Sequence, residues 1–191
     1  LLKRYGHRVV IFESKPLAGG TAMYGIPEFH LAKEVLSFEI EYIKALGVEI
    51  RTGITVGKDI RLKDIFNEGF DAILITTGPG DVRRLKVPGE DLKGVYNAFE
   101  FIFNVNEAIL KGEKLENLPY RIKGMKVAVI GGGDTALDAA KIALRMGAKE
   151  VIIVYRRSEV EMPGYFVSRE EAKAEGINEV IQLMFKKKEK G

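Results

Sequence analysis

The sequence predicts an α/β protein assembled from dinucleotide-binding βαβ units, and three stretches carry that prediction. The first runs from Lys126 to Arg157: the apolar run Val127–Ile130, glycines at 131, 132 and 133, then Ala136, a dozen or so helix formers, the apolar run Val151–Val154, and Arg156-Arg157. The second opens the chain, where Leu1–Tyr5 reads as the last turn of a helix closed by Gly6, followed by a strand Val9–Phe12 with Glu13 at its end. The third is Asp71–Gly78, an apolar strand running into small residues and a glycine, an ending that lets backbone come close to a ligand.

In the first stretch the run Val127–Ile130 has the length and β-branched content of a buried parallel strand. Gly131, Gly133 and Ala136 then follow at the fingerprint spacing. One glycine serves the tight turn, the next serves close approach to a pyrophosphate, and the third small residue lets helix pack on strand. A helix from Asp134 to Met146 aims its free N–H groups and positive dipole end at phosphates. Gly147 ends it, and the second strand follows. About 20 residues past the fingerprint, NAD sites carry an acid for the ribose 2′-hydroxyl. Arg156 and Arg157 stand there instead, the chemistry of a 2′-phosphate clamp, so the predicted ligand is NADP(H). The plainer alternative is a glycine-rich turn with two solvated surface arginines.

Earlier in the chain, Glu13 occupies the position of a ribose-binding acid, or else of a solvent-facing strand end. Gly19-Gly20 forms a flexible turn after Pro16-Leu17-Ala18. Tyr24–Phe29 is too apolar for an idle loop and is either a buried loop or a wall beside a ring system. Leu31–Leu46 carries apolar residues at 31, 35, 38, 42, 43 and 46, a helical period closed by Gly47. Short strands are expected at Val48–Arg51 and Ile54–Val56, and helices at Leu62–Asn67 and Ala98–Lys111. Residues 79–94 read as loop, and polar Gly112–Gly124 with Pro119 reads as a linker. After the arginines come a loop at Ser158–Pro163, a short acidic helix at Ser168–Ala174, and a segment Glu179–Phe185 open to strand or helix.

Composition narrows the function classes. With 46% hydrophobic and 30% charged residues the chain can bury a core. No apolar run approaches the roughly 18 residues of a membrane span, and no secretory signal is visible, so the expectation is a cytoplasmic protein without a membrane partner. A net charge of +3 with acids and bases interspersed argues against nucleic acid. The cluster Lys186–Lys188 with Lys190 reads as a solvated tail. Zero cysteines exclude a thiol redox pair or a cysteine-held iron–sulfur cluster on these 191 residues, and two histidines argue against zinc. Redox chemistry is therefore expected from a bound organic cofactor or a partner.

Taken together, Gly6-His7-x-Val9, Phe12-Glu13, Gly19-Gly20, Tyr24-Gly25-Ile26-Pro27-Glu28-Phe29, Asp71-Ala72, Thr77-Gly78 and Val87-Pro88-Gly89-Glu90 form a pattern. With Gly131–Ala136, Asp138, Tyr155-Arg156-Arg157-Ser158 and Glu161-Met162-Pro163, it resembles the small (β) subunit of NADPH-dependent glutamate synthase and its relatives. The resemblance implies two nested Rossmann-like domains: a partial FAD domain at residues 1–118, its first β-strand and helix lacking, and an NADPH domain at 119–191, incomplete at its C-terminus. It implies hydride transfer from NADPH to FAD, with electrons passed to iron–sulfur clusters on a missing segment or partner, a large subunit or ferredoxin. Glu13 would bind the FAD ribose, and Gly19, Gly20, Thr77 and Gly78 would lie beside the FAD. Gly131, Gly132, Gly133, Asp134, Thr135 and Ala136 would hold the NADPH pyrophosphate end, and Arg156 and Arg157 the 2′-phosphate. No side chain is needed as a catalytic acid or base, since geometry and cofactor supply the chemistry.

The sequence departs from that pattern at two places. His30 and Ala32 replace an arginine and a proline, and Gly164-Tyr165 replaces an Ala-Arg pair whose arginine often reaches the 2′-phosphate. Arg169 can take that arginine's place only where the loop folds back. A second reading, a stand-alone NADP(H)-binding module without turnover, shares the same phosphate-binding turn.

Overall fold

The computed structural model describes residues 1–78 and 84–181, the last four of them through their backbone. The chain divides into two compact units, Leu1–Asp81 and Val82–Gly191. This boundary lies well before the expected one at 118/119, because the helix Ala98–Leu110 and the expected linker pack onto the nucleotide unit. Ile122 is buried in that unit's core, with Leu115, Leu118 and Tyr120 packed against it. The basic cluster Lys186–Lys188 lies outside the described residues.

In the first unit, a 3₁₀ turn Leu2–Tyr5 ends at Gly6, and β1 (Val10–Glu13) pairs in parallel with β2 (Glu49–Thr52). Two helices cross between them, α1 (Gly20–Tyr24) and α2 (Lys33–Ala45), and α3 (Leu62–Asn67) follows. The Gly19-Gly20 turn thus opens a five-residue helix that sequence did not suggest. The apolar loop after it is mainly a buried one: Tyr24 and Pro27 are fully buried. Leu17 N–H donates to the Tyr24 hydroxyl at 3.0 Å, and that hydroxyl donates to Leu17 O at 3.3 Å. Lys33 ties the loop from below, its Nζ donating to Ala22 O at 3.1 Å and Ile26 O at 2.5 Å. Burial pushes this amine below the ordinary lysine value, against the Glu28 carboxylate, which pulls it up.

The helix α2 forms inside the expected Leu31–Leu46 but does not show its expected face. It packs through Leu36 toward Gly19, while Val35, Phe38 and Tyr42 of the predicted stripe are exposed, Phe38 to 71%. Periodicity registers an apolar face without naming what covers it. We therefore expect Phe38→Ser to change the stability of this chain by less than about 0.5 kcal/mol. Ile65→Ala, at a buried residue of the same unit, is expected to cost about 2–5 kcal/mol. Urea unfolding of the two variants checks the contrast.

Two expected strands do not form. Residues 72–78 pair with no neighbour among the described residues, and Leu74 is 77% exposed. Strand propensity supplies no hydrogen-bonding edge, and a strand exists only where one is offered. Ile54–Val56 yields only a single bridge, Val56 to Ile60.

In the second unit α4 (Ala98–Leu110) is capped by Asn97, whose Oδ1 accepts from Phe99 N and Glu100 N at 2.9 and 3.3 Å. A parallel sheet in the order β3 (Lys126–Ile130), β4 (Glu150–Tyr155), β5 (Asn178–Ile181) carries α5 (Asp134–Arg145) and α6 (Phe166–Ala174) as crossovers. The segment left open by sequence is therefore a strand where it is described. The core joins Ile102 and Val105 of α4, Leu137, Ala140 and Ala143 of α5, and Val151 and Ile153 of β4. The small residues of α5 let it sit close on the sheet, and α4 covers its other side. Buried Lys141 crosses from α5 to α6, with Nζ 2.5 Å from Glu171 Oε2. Among the described residues, no helix is long and apolar enough to cross a membrane.

Candidate functional site

The site sits at the carboxyl end of β3, where Gly131 leaves the strand. Its φ of 140° is one that L side chains rarely adopt, and an added Cβ there lies 3.2 Å from the Ala136 methyl. Each of the three glycines has its own reason. At Gly132 an added Cβ lies 2.7 Å from Cδ2 of Tyr155, so this position is held open for an aromatic ring, not for a ligand. At Gly133, the N-cap of α5, the only atom of the described residues within 4 Å of an added Cβ is Pro163 Cγ at 3.9 Å. That position faces open space, as close approach of a pyrophosphate requires. Among the described residues, the N–H groups of Gly132, Gly133, Asp134 and Thr135 have no hydrogen-bond partner. They lie at the positive end of a twelve-residue helix. Buried Ala136 packs the helix start against the turn.

Asp134 is turned to another use. Its Oδ1 accepts the Tyr165 N–H at 2.9 Å, and Gly164 N–H donates to Gly132 O at 2.9 Å. The segment after β4 therefore folds back over the glycine turn as a strap. At Gly164 an added Cβ lies 2.7 Å from Leu137 Cδ1 and 3.0 Å from Gly132 O, so the strap touches the turn without room for a side chain. Sequence reasoning treated Gly164 as a departure that weakens the site. The structure shows it as the contact by which the strap reaches the turn.

Arg156 and Arg157 follow directly on β4, both exposed, and neither makes an ion pair among the described residues. Behind them a 3₁₀ turn Glu159–Glu161 forms the rest of the strap. Glu161 Oε2 accepts from Ser158 Oγ at 2.9 Å and Ser158 N at 3.2 Å, contacts that hold its carboxyl below the usual carboxylate range. The Tyr155 hydroxyl donates to Glu161 O at 3.0 Å. Lys173 pairs with Glu159. The loop does fold back, yet Arg169 is engaged elsewhere: its guanidinium donates to Glu159 O at 2.6 Å, and its Nε is buried without a partner. The sequence reading gave Tyr155 and Glu161 no role of their own at the site. The Ser158-x-x-Glu161 spacing of a capping box was the signal that could have found the second of them.

The first unit holds the expected flavin-side residues less tightly. Glu13 ends β1 with Oε1 accepting Lys15 N–H at 2.8 Å and Ser14 Oγ at 3.3 Å, and Oε2 makes no hydrogen bond to the described residues. Gly20 is exposed, with nothing within 4 Å of an added Cβ. Gly19 has a packing reason instead, since a Cβ there meets Met23 at 3.0 Å and Leu36 at 3.2 Å. Thr77 and Gly78 are exposed and share no hydrogen bond with Glu13, Gly19 or Gly20. A free carboxylate oxygen and an open glycine fit the ribose end of a dinucleotide.

Comparison with known proteins adds the following. The sequence profile of the pyridine nucleotide-disulphide oxidoreductases matches residues 1–189. The β subunit of NADP(+)-dependent formate dehydrogenase from Moorella thermoacetica is 41% identical over 174 residues, covering 90% of this chain and 23% of that protein. The small chain of NADPH glutamate synthase from Escherichia coli K12 is 35% identical over 178 residues, covering 93% of this chain and 38% of that one. Among solved structures, a point mutant of FprA from Mycobacterium tuberculosis superposes with a TM-score of 0.72 at 25% identity, over 87% of this chain and 40% of that one. The chain thus spans less than half the length of each. It contains no cysteine, so the disulphide of the profile's description has no counterpart in these 191 residues.

Proposed function

The chain belongs to the pyridine nucleotide-disulphide oxidoreductase family, and from that premise we propose that its second unit binds NADP(H) within a flavin oxidoreductase similar to the glutamate synthase small chain. In this reading the first unit contributes to an FAD domain, and the second unit, with α4 packed on it, holds the NADPH site. NADPH supplies a hydride from its nicotinamide and FAD accepts it, the electrons passing to an iron–sulfur partner, a large subunit or a ferredoxin-type protein.

The protein's own part is to bind and orient. The open Gly133 and the unpartnered N–H groups of Gly132–Thr135 would receive the pyrophosphate, and Arg156 and Arg157 the 2′-phosphate. Asp134, expected beside the phosphates, serves in this reading as the anchor of Tyr165. Glu13 would offer Oε2 to the flavin ribose, with Gly20 leaving the approach clear.

The observation that carries the reading is the pairing of an open phosphate turn with two ion-pair-free arginines at the end of the adjacent strand. Calorimetric titration of the chain with NADPH and NADH tests it. The double change Arg156→Ala with Arg157→Ala is expected to weaken NADPH about 100-fold while moving NADH little. Absence of NADPH binding to the unaltered chain would sink the reading. A second reading, an NADP(H)-binding module without turnover, is favoured by one observation: Thr77 and Gly78 are not joined to Glu13. Flavin uptake followed by NADPH oxidation with an artificial acceptor separates the two.

A further inference from the structure

Arg156 and Arg157 form a two-residue span, and both flanks of that span are tied to one residue. On the near side, Tyr155 donates its hydroxyl hydrogen to Glu161 O at 3.0 Å. On the far side, Ser158 donates to Glu161 Oε2 from Oγ at 2.9 Å and from N at 3.2 Å. Three residues past Glu161, the strap is pinned to the glycine turn by Gly164 N–H on Gly132 O at 2.9 Å. The arginines themselves make no ion pair among the described residues, so their backbone is fixed while their guanidiniums stay available.

We propose that the Glu161 carboxylate is a positioning group for discrimination between NADPH and NADH, fastening the Ser158 flank of Arg156 and Arg157 while the Tyr155 flank rests on the backbone carbonyl of the same residue, so that the two guanidiniums meet the 2′-phosphate. The proposal rests on the NADP(H) reading given above. Its physical basis is preorganisation: a free span carrying two long cationic side chains must be ordered when ligand binds, and a span already fastened at both ends loses less freedom. The carboxylate also has an opposing effect, since its negative charge lies near Arg157 and competes with a phosphate for that cation. Glutamine separates the two effects, because it keeps an acceptor for Ser158 and removes the charge.

The test is calorimetric titration of the full chain, unaltered and as Glu161→Ala, Glu161→Gln and Ser158→Ala, with NADPH and with NADH. Glu161→Ala is expected to weaken NADPH about tenfold and leave NADH unchanged, so the selectivity ratio falls by the same factor. Ser158→Ala is expected to lower that ratio about threefold. Glu161→Gln is expected to hold the ratio at or above its starting value, because it keeps the acceptor for Ser158 and removes the charge near Arg157. The proposal is overturned if Glu161→Ala leaves the ratio unchanged or weakens both nucleotides equally. Circular dichroism monitors folding, and should Glu161→Ala unfold, an unchanged ratio in Ser158→Ala overturns the proposal by itself. Failure of the unaltered chain to bind either nucleotide is a different result, for it removes the nucleotide site and not only the role of Glu161.

Discussion

Gly133→Val is expected to abolish binding of NADP(H) while leaving the fold standing. The residue has φ −93° and ψ 173°, backbone that any amino acid adopts, and it caps α5 without a side-chain hydrogen bond. Its added Cβ meets nothing closer than Pro163 Cγ at 3.9 Å, so the folded chain offers no clash. The cost to stability is that of a poor N-cap, about 1 kcal/mol. The branched side chain instead fills the open space in front of the free N–H groups, where the pyrophosphate must come close. A loss of at least about 100-fold in NADPH affinity is expected, equivalent to about 2.7 kcal/mol. A melting curve and an NADPH titration on the same preparation check both halves. Full binding by the valine variant would mean that the phosphates lie elsewhere.

The second large effect concerns folding. Leu137 is fully buried on α5. Leu137→Ala is expected to destabilise the second unit by about 2–5 kcal/mol, through lost burial and the cavity left behind. The structure adds a specific coupling. Leu137 Cδ1 fills the place where a Gly164 side chain would go, 2.7 Å from an added Cβ. Gly164→Ala alone therefore overpacks the contact, at about 1–3 kcal/mol. With Leu137 shortened, the new methyl has room on that side and occupies part of the cavity. The double variant should consequently be more stable than the sum of the single changes by about 1 kcal/mol or more. Urea unfolding of the four proteins gives the cycle, and strict additivity would show that the strap does not rest on Leu137 in solution.

The second unit was the more legible of the two in sequence. Its strands β3 and β4, α5 and the closing Gly147 follow from local signals, because each of these apolar runs finds its neighbour within some 25 residues. Lys126 pairs with Glu150 and Ile130 with Val154 in an unbroken parallel register. The fingerprint glycines were read as a turn with separate roles for Gly131 and Gly133, but the role of Gly132 was not readable. Nothing in Gly132 says that a ring 23 positions later lies against it. Elsewhere, local signals lacked a partner. The period of Leu31–Leu46 describes a helix with an apolar side, and the structure leaves Val35, Phe38 and Tyr42 on the side facing water. The run at 72–78 has strand composition without a strand beside it. Asp134 has a further contact that no local signal shows: its carboxylate accepts the Tyr165 N–H.

The tie between Glu161 and both flanks of the arginine pair bears on how coenzyme preference could be transplanted. An engineer who moves Arg156 and Arg157 alone into an NADH-using relative transfers the charges and leaves their fastenings behind. Tyr155, Ser158 and Glu161 lie within seven consecutive residues, 155–161, so pair and fastenings can travel as one short insert. Gly164 and its seat on Gly132 set the far limit of that insert, and two recipient positions outside it must match: Gly132, which lies against the Tyr155 ring, and Leu137, which lies against Gly164. On the proposed NADP(H) reading, preference for one nicotinamide coenzyme would then be a property of a compact, contiguous cassette, exchanged whole.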